Sequence, residues 1–228
     1  MLKLSVVYDN NQKREDLTPS WGFSSFIKTH DKSVLFDTGA DSQILMDNME
    51  KMGLDPHDIN AIIISHTHRD HTGGLRELLR INSSASVYVP NTGFKRKLEN
   101  KKNDVFQIRN YQEIYPGISV ISHNNTQALV LDGENGMFMA VSRIPTKALE
   151  IMKKARKLMD KDINFLLGGF CLHNSSETAK IIKPMERLGV RKIMICHCCG
   201  ELDEKILMEK FAGDCIRAGV GSRSMIQV

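Results

Sequence analysis

Residues 61–71, Ala61-Ile62-Ile63-Ile64-Ser65-His66-Thr67-His68-Arg69-Asp70-His71, decide how this chain is read. The apolar, β-branched run Ala61–Ile64 predicts a buried strand. At its end come three histidines and an aspartate within six residues. Imidazole and carboxylate are strong ligands for borderline metals such as zinc, and a loop at a strand end turns several of them inward together. His66 and His68 alternate, so an extended loop points them the same way. Asp70 and His71 then serve a neighbouring position, which gives a basis for two metal sites. A solvated loop that merely caps the next helix accounts poorly for this concentration, because the whole chain has only 8 histidines.

Upstream, residues 2–8, 23–29 and 33–36 are strand-like and suggest an initial antiparallel sheet. Residues 41–52 place Ile44, Leu45, Met49 and Met52 at helical spacing, with Gly53 as the stop. Downstream, 73–81 reads as a helix and 85–90 as a strand. The stretch 91–104 is a polar, basic excursion, read as solvated surface in preference to a lid. Strands follow at 118–122, 127–131 and 136–142, with Asn124-Asn125 and Asp132-Gly133 as turn signals. A helix over 146–159 has Thr146 as its N-cap and Leu149, Met152, Ala155 and Met159 on one face. A strand at 163–167 leads into Gly168-Gly169, and a helix begins at Asn174 with Glu177 completing a capping box. Pro184 is expected to bend or shorten that helix. Strand 192–196, helix 203–212 and a short strand near 225–228 complete the chain. This order predicts an α/β fold of two mixed β-sheets covered by outer helices. The result is a four-layer αββα sandwich occupying 1–228 as one domain.

The bulk properties agree. A chain of 228 residues with 41% hydrophobic content can bury a sizeable core. Charged residues at 25% and a net charge of +4 show neither a disordered-protein bias nor the basicity of a dedicated nucleic-acid binder. The N-terminal run Met1–Asn11 lacks a small-residue cleavage site and reads as a first strand, and no apolar stretch approaches the roughly 20 residues of a bilayer span. The expected location is the cytoplasm and the expected partner a small molecule. The 5 cysteines (171, 196, 198, 199 and 215) form an odd set crowded towards the C-terminus. Reduced thiols, some of them candidate metal ligands, suit this better than a secreted disulfide framework. Cys196, Cys198 and Cys199 do not make a zinc ribbon, since no second CxxC pair exists. Core packing is the expectation for them.

His66, His68, Asp70 and His71 form an HxHxDH pattern after a buried strand, and in this the chain resembles the metallo-β-lactamase superfamily. Leu35-Phe36-Asp37-Thr38-Gly39 is similar to the family's first motif. By that resemblance Asp37 orients the metal loop by holding a ligating imidazole. Leu167-Gly168-Gly169-Phe170-Cys171-Leu172 and Ile195-Cys196-His197-Cys198-Cys199-Gly200 resemble the GGFHL and HCTG signatures of one branch, linked to dihydropterin-type chemistry in methanopterin biosynthesis. The resemblance implies that His197 is the last metal ligand.

Two departures alter the expectation. Where the branch has GCSH, this chain has Ala140-Val141-Ser142-Arg143, and a guanidinium cannot take a ligand's role. Arg143 either points into the pocket and binds an anionic substrate group, or turns outward. Cys171 stands where GGFHL has histidine, and as a thiolate it would hold one metal with Asp70, His71 and His197. His173 is a weaker candidate to replace the missing histidine. The implied activity is hydrolysis of an ester, thioester, amide or phosphoester substrate, anionic or pterin-like. A metal-bound hydroxide attacks, with Asp70 as the catalytic carboxylate and one or two zinc ions, or iron or manganese, as cofactor. The alternative is a catalytically degenerate member of the fold that binds a metal or ligand. A flavodiiron oxidoreductase is disfavoured because its HxExD pattern would need a glutamate at His68, and a nuclease because the basic segments do not form one groove.

Overall fold

The computed structural model describes residues 1–98, 102–144, 146–170 and 175–227, which divide into two compact units. The first comprises 1–109 and 218–227. Its seven-stranded sheet consists of β1 (Leu2–Tyr8), β2 (Ser24–Lys28), β3 (Ser33–Phe36), β4 (Ala61–Ile63), β5 (Ser86–Val89), β6 (Val105–Gln107) and the C-terminal β14 (Arg223–Ile226). The order is β14-β1-β2-β3-β4-β5-β6. Pairing is antiparallel from β14 to β3 and parallel from β3 to β6, so the initial antiparallel sheet of the sequence reading continues into a parallel half.

Helices α1 (Ser42–Lys51), α2 (Arg69–Thr72), α3 (Leu75–Ile81) and α4 (Thr92–Leu98) belong to the same unit. Asp41 caps α1 by accepting from the amides of Gln43 and Ile44, and the helix ends at Gly53, whose φ of +66° suits glycine. Leu45, Met49 and Met52 of α1 and its cap then pack with Leu75, Leu78 and Leu79 of α3 against Leu35, Ile62 and Val87 of the sheet. Burial on this scale is the main favourable term that holds the unit together. The expected solvated excursion at 91–104 is corrected in part. Residues 92–98 form α4, which places Phe94 and Leu98 against the core and leaves Arg96 and Lys97 outward.

The second unit, 110–217, repeats the plan. Its strands are β7 (Tyr111–Tyr115), β8 (Ile118–His123), β9 (Thr126–Gly133), β10 (Gly136–Ile144), β11 (Ile163–Phe170), β12 (Lys192–Cys196) and β13 (Asp214–Arg217), in the order β13-β12-β11-β10-β9-β8-β7. Strands β7 to β10 pair antiparallel and β10 to β13 parallel, so this sheet is also mixed. Asn124 and Asn125, both at positive φ, make the two-residue hairpin turn. Asp132 and Gly133 are the last residues of β9, and the turn signalled there falls just after them, at Glu134-Asn135.

Helices α5 (Thr146–Met159), α6 (Ser175–Arg187) and α7 (Glu201–Lys210) supply Ile151, Met152, Ile182, Met185 and Leu207 to a core with Val130, Met139, Leu166 and Ile193. Thr146 is the first described residue of α5, and its side chain lies outside the described set. Helix α6 continues past Pro184 to Arg187, and its expected start at Asn174 lies outside the described residues. The strand expected at 163–167 extends to Phe170, so Gly168-Gly169 lies within β11, paired to Ile195 and Cys196. A Cβ on Gly169 would lie 2.7 Å from the Ser142 carbonyl oxygen and 3.0 Å from the Cys198 Sγ, so the neighbouring strands leave room only for glycine. No described helix is long and apolar enough to cross a membrane.

Candidate metal centre

Strands β3 and β4 end side by side in parallel, which brings Asp37 next to the loop that starts at Ser65. Asp37 is fully buried and sits at φ +61°, a left-handed conformation that aspartate and asparagine tolerate better than most residues. Its Oδ1 accepts from the Ser65 amide at 2.7 Å, and its Oδ2 accepts from the Ser65 hydroxyl at 2.6 Å. The His71 Nδ1, 2.8 Å from the same Oδ2, completes the set. Because that nitrogen donates to the carboxylate, His71 presents its Nε2 lone pair outward.

Ser65 was not anticipated from sequence. Its hydroxyl proton goes to Asp37, so its oxygen accepts from the His66 Nδ1 at 3.0 Å. That contact selects the His66 tautomer with a bare Nε2. One carboxylate thus sets two imidazoles, one directly and one through a serine.

The backbone of the loop is pinned as firmly. The amide and the hydroxyl of Thr38 both donate to the His71 carbonyl, the Gly73 amide donates to the Gly39 carbonyl at 2.7 Å, and the Phe23 amide to that of Asp70 at 3.1 Å. The approach is so close that a Cβ on Gly73 would fall 2.0 Å from the Ala40 carbonyl oxygen, and one on Gly39 2.4 Å from the Tyr8 ring. The glycines beside the histidines are therefore part of the site's construction.

The structure brings His66, His68, Asp70 and His71 together. His66 Nε2 lies 3.2 Å from His68 Nδ1, the His66 and His71 ring centroids are 4.2 Å apart, and His71 Nε2 is 3.6 Å from an Asp70 carboxylate oxygen. Two nitrogens each about 2.0–2.1 Å from one tetrahedral zinc stand roughly 3.3 Å apart, so these donors fit a first-row divalent metal. His71 is buried, Asp70 half-buried and His68 exposed, which leaves the cluster open on one side.

Burial, with the facing His71 imidazole adding to it, lowers the His66 pKa from 6.5 to about 4, against the opposing pull of Asp37. The neutral ligand form therefore prevails at pH 7. The unfolded chain binds this proton near pH 6.5 and the folded apoprotein only near 4, so stability falls as pH drops through that window. Melting of chelator-treated protein from pH 7 to 4.5 is expected to show this decline, with a shallower one for His66→Gln. Identical slopes would contradict it.

In the second unit His197 follows β12 at φ +55° and is 3% exposed. Cys196 is buried, as expected of a strand residue. Cys198 is disulfide-bonded, which corrects the expectation of reduced thiols, whereas Cys196, Cys199 and Cys215 are free. Burial pushes the Cys199 thiol up to about 12 and the Cys215 thiol up to about 11, with Glu204 adding to both, so neither is a ready thiolate. Arg143 lies in β10, and its side chain is outside the described set. Cys171 and His173 also lie outside the described residues.

The family model of the metallo-beta-lactamase superfamily matches residues 18–148. The chain is similar to the 7,8-dihydropterin-6-methyl-4-(beta-D-ribofuranosyl)-aminobenzene-5'-phosphate synthase of Methanocaldococcus jannaschii, at 24% identity over 83% of each chain. Among solved structures it is similar to a metal-dependent hydrolase of the beta-lactamase superfamily, with a TM-score of 0.83 and 21% identity over the full length of both. It is also similar to a diphosphatase from the PhnP family (TM-score 0.64, 16% identity, 100% of this chain and 99% of that one). The short form of human tRNase Z is a further likeness (TM-score 0.65, 11% identity, 99% and 100%).

Proposed function

Because the chain belongs to the metallo-β-lactamase superfamily, we propose that it is a metal-dependent hydrolase of a small anionic substrate, with zinc, or else iron or manganese, at the His66–His71 cluster. The observation that carries this reading is the convergence of His66, His68, Asp70 and His71, with Asp37 holding the His71 imidazole in its ligand tautomer. His197 completes the ligand set in this reading, on the strength of its place in the HCTG-like segment, and Cys171 of the GGFHL-like segment would join it only as a reduced thiol. With Arg143 where the branch has a histidine, the Asp70-His71 end holds the tighter ion and the His66-His68 end a labile one.

The chemistry a bound divalent ion supplies is a water acidified towards neutrality and a polarised electrophile. Asp70 would help hold the ion, and its carboxylate would accept the proton of the attacking water and return it to the leaving group. His71 cannot rotate out of place, because Asp37 holds its far nitrogen. Arg143 pairs with a phosphate or carboxylate of the substrate. A phosphorylated pterin-like compound suits this charge and the name of the M. jannaschii relative.

The test is hydrolysis of a panel of p-nitrophenyl esters and phosphodiesters before and after chelation. Activity is expected to vanish on metal removal and return on reloading with zinc or manganese. Metal-free protein that keeps its activity would overturn the proposal. The relative's description as a synthase and the presence of Arg143 favour a second reading, a member that binds a metal or ligand without hydrolysis. Metal binding with no turnover on any substrate class would support it.

A further inference from the structure

The sheet of the first unit carries a second candidate site, which shares no residue with the metal cluster. Across β1 the register sets Lys3 opposite Lys28 of β2 and Met225 of β14, and Ser5 opposite Phe26 and Arg223. Residues two apart on a strand share a face, so these six line one surface. The segment Met52-Gly53-Leu54, just past α1, walls it, and the Arg223 guanidinium donates to the Met52 carbonyl, tying that wall to β14. The resulting open cleft has a volume of about 390 Å³, within the range of small-molecule sites.

The lining is apolar within and cationic around. Phe26 and Met52 are buried, Leu54 is half-buried, and Met225 is 58% exposed. Lys3, Lys28 and Arg223 contribute three positive charges, and no carboxylate lines the cavity. Like charges directly opposite across an antiparallel pair destabilise a sheet. Lys28 has only the exposed Asp58, at 3.5 Å, to offset this, and Lys3 makes no ion pair among the described residues. An anion between the two ammonium groups would remove the repulsion, while the apolar lining calls for a hydrocarbon body.

We propose that this cavity binds an anionic amphiphile, with its carboxylate between Lys3 and Lys28 and its chain along Phe26, Met52 and Leu54. The test titrates full-length protein calorimetrically with sodium decanoate below its micellar concentration, and with decyl maltoside as a neutral probe bearing the same chain. Decanoate is expected to bind once per chain, at least about tenfold more tightly than the maltoside, the factor that one charge-assisted contact supplies. Lys3→Glu is expected to weaken decanoate by about tenfold or more while melting at the same or a higher temperature, since it turns a repulsive pair into an attractive one. Leu54→Ser is expected to weaken both probes. Absence of decanoate binding, equal binding of the two probes, or undiminished binding by Lys3→Glu would each overturn the proposal.

Discussion

Asp37→Ala is expected to lower affinity for a divalent metal by about 10- to 100-fold, the range seen when the group holding a ligating imidazole is removed. Stability should fall at the same time by about 3–5 kcal/mol, as when one member of a buried pair is deleted. The carboxylate is fully buried and accepts from the Ser65 amide, the Ser65 hydroxyl and His71 Nδ1. Alanine leaves all three donors unpaired and is poorly suited to the φ of +61°. Asp37→Asn separates the two effects. Asparagine tolerates the backbone and fills the space, so much of the stability returns. Its amide group displaces one donor, so the His71 tautomer and the metal affinity do not recover. Denaturant unfolding together with competition against a chromophoric chelator measures both quantities. Alanine and asparagine variants that lose metal affinity equally little would contradict the role given to Asp37.

The second large effect is expected at His71. It is buried, its Nδ1 is committed to Asp37, and its Nε2 faces the Asp70 carboxylate. His71→Ala therefore removes a ligand that no neighbour can replace from the same position. Hydrolysis of the best panel substrate is expected to fall at least about a hundredfold, which corresponds to losing only about 3 kcal/mol of the stabilisation a metal gives the reacting groups. His57→Ala is the control, because His57 is exposed on a short turn and its imidazole contacts the Asp55 carboxylate, away from the metal cluster. Its activity should equal that of the unaltered protein. A His71→Ala variant that keeps a tenth or more of the activity would remove this residue from the site.

How much of this was legible in the sequence depended on whether a residue's role leaves a pattern along the chain. The run Ala61–Ile64 and the histidines after it were legible because burial selects a continuous apolar strand and ligation selects spaced imidazoles. Asp37 was legible through its place at a strand end, but Ser65 was not. A serine after a strand has no periodic signature, and its part is defined by Asp37, which is distant in sequence and adjacent in space. The strands β6, β7 and β13 escaped for a different reason. Each stands at a sheet edge, is short and without a fully buried residue, and is held by pairing to one neighbour, so no clean alternation develops. Helix α4 was obscured because only Phe94 and Leu98 of its seven residues mark its buried side among consecutive basic ones. The strand β11 was cut short at Gly168-Gly169 because paired glycines commonly end a strand, whereas here Gly169 admits the Ser142 carbonyl and the Cys198 side chain.

The central claim is that the His66–His71 segment, oriented by Asp37, holds a catalytic metal. Elemental analysis of the protein purified without added metal, run beside His71→Ala prepared in the same way, tests it most directly. The account predicts about one tightly held zinc, iron or manganese ion per chain, at the Asp70-His71 end, and close to none in the variant. An unaltered protein that carries no metal and takes up none from a buffered excess would contradict it, and so would a His71→Ala variant that holds as much as its parent.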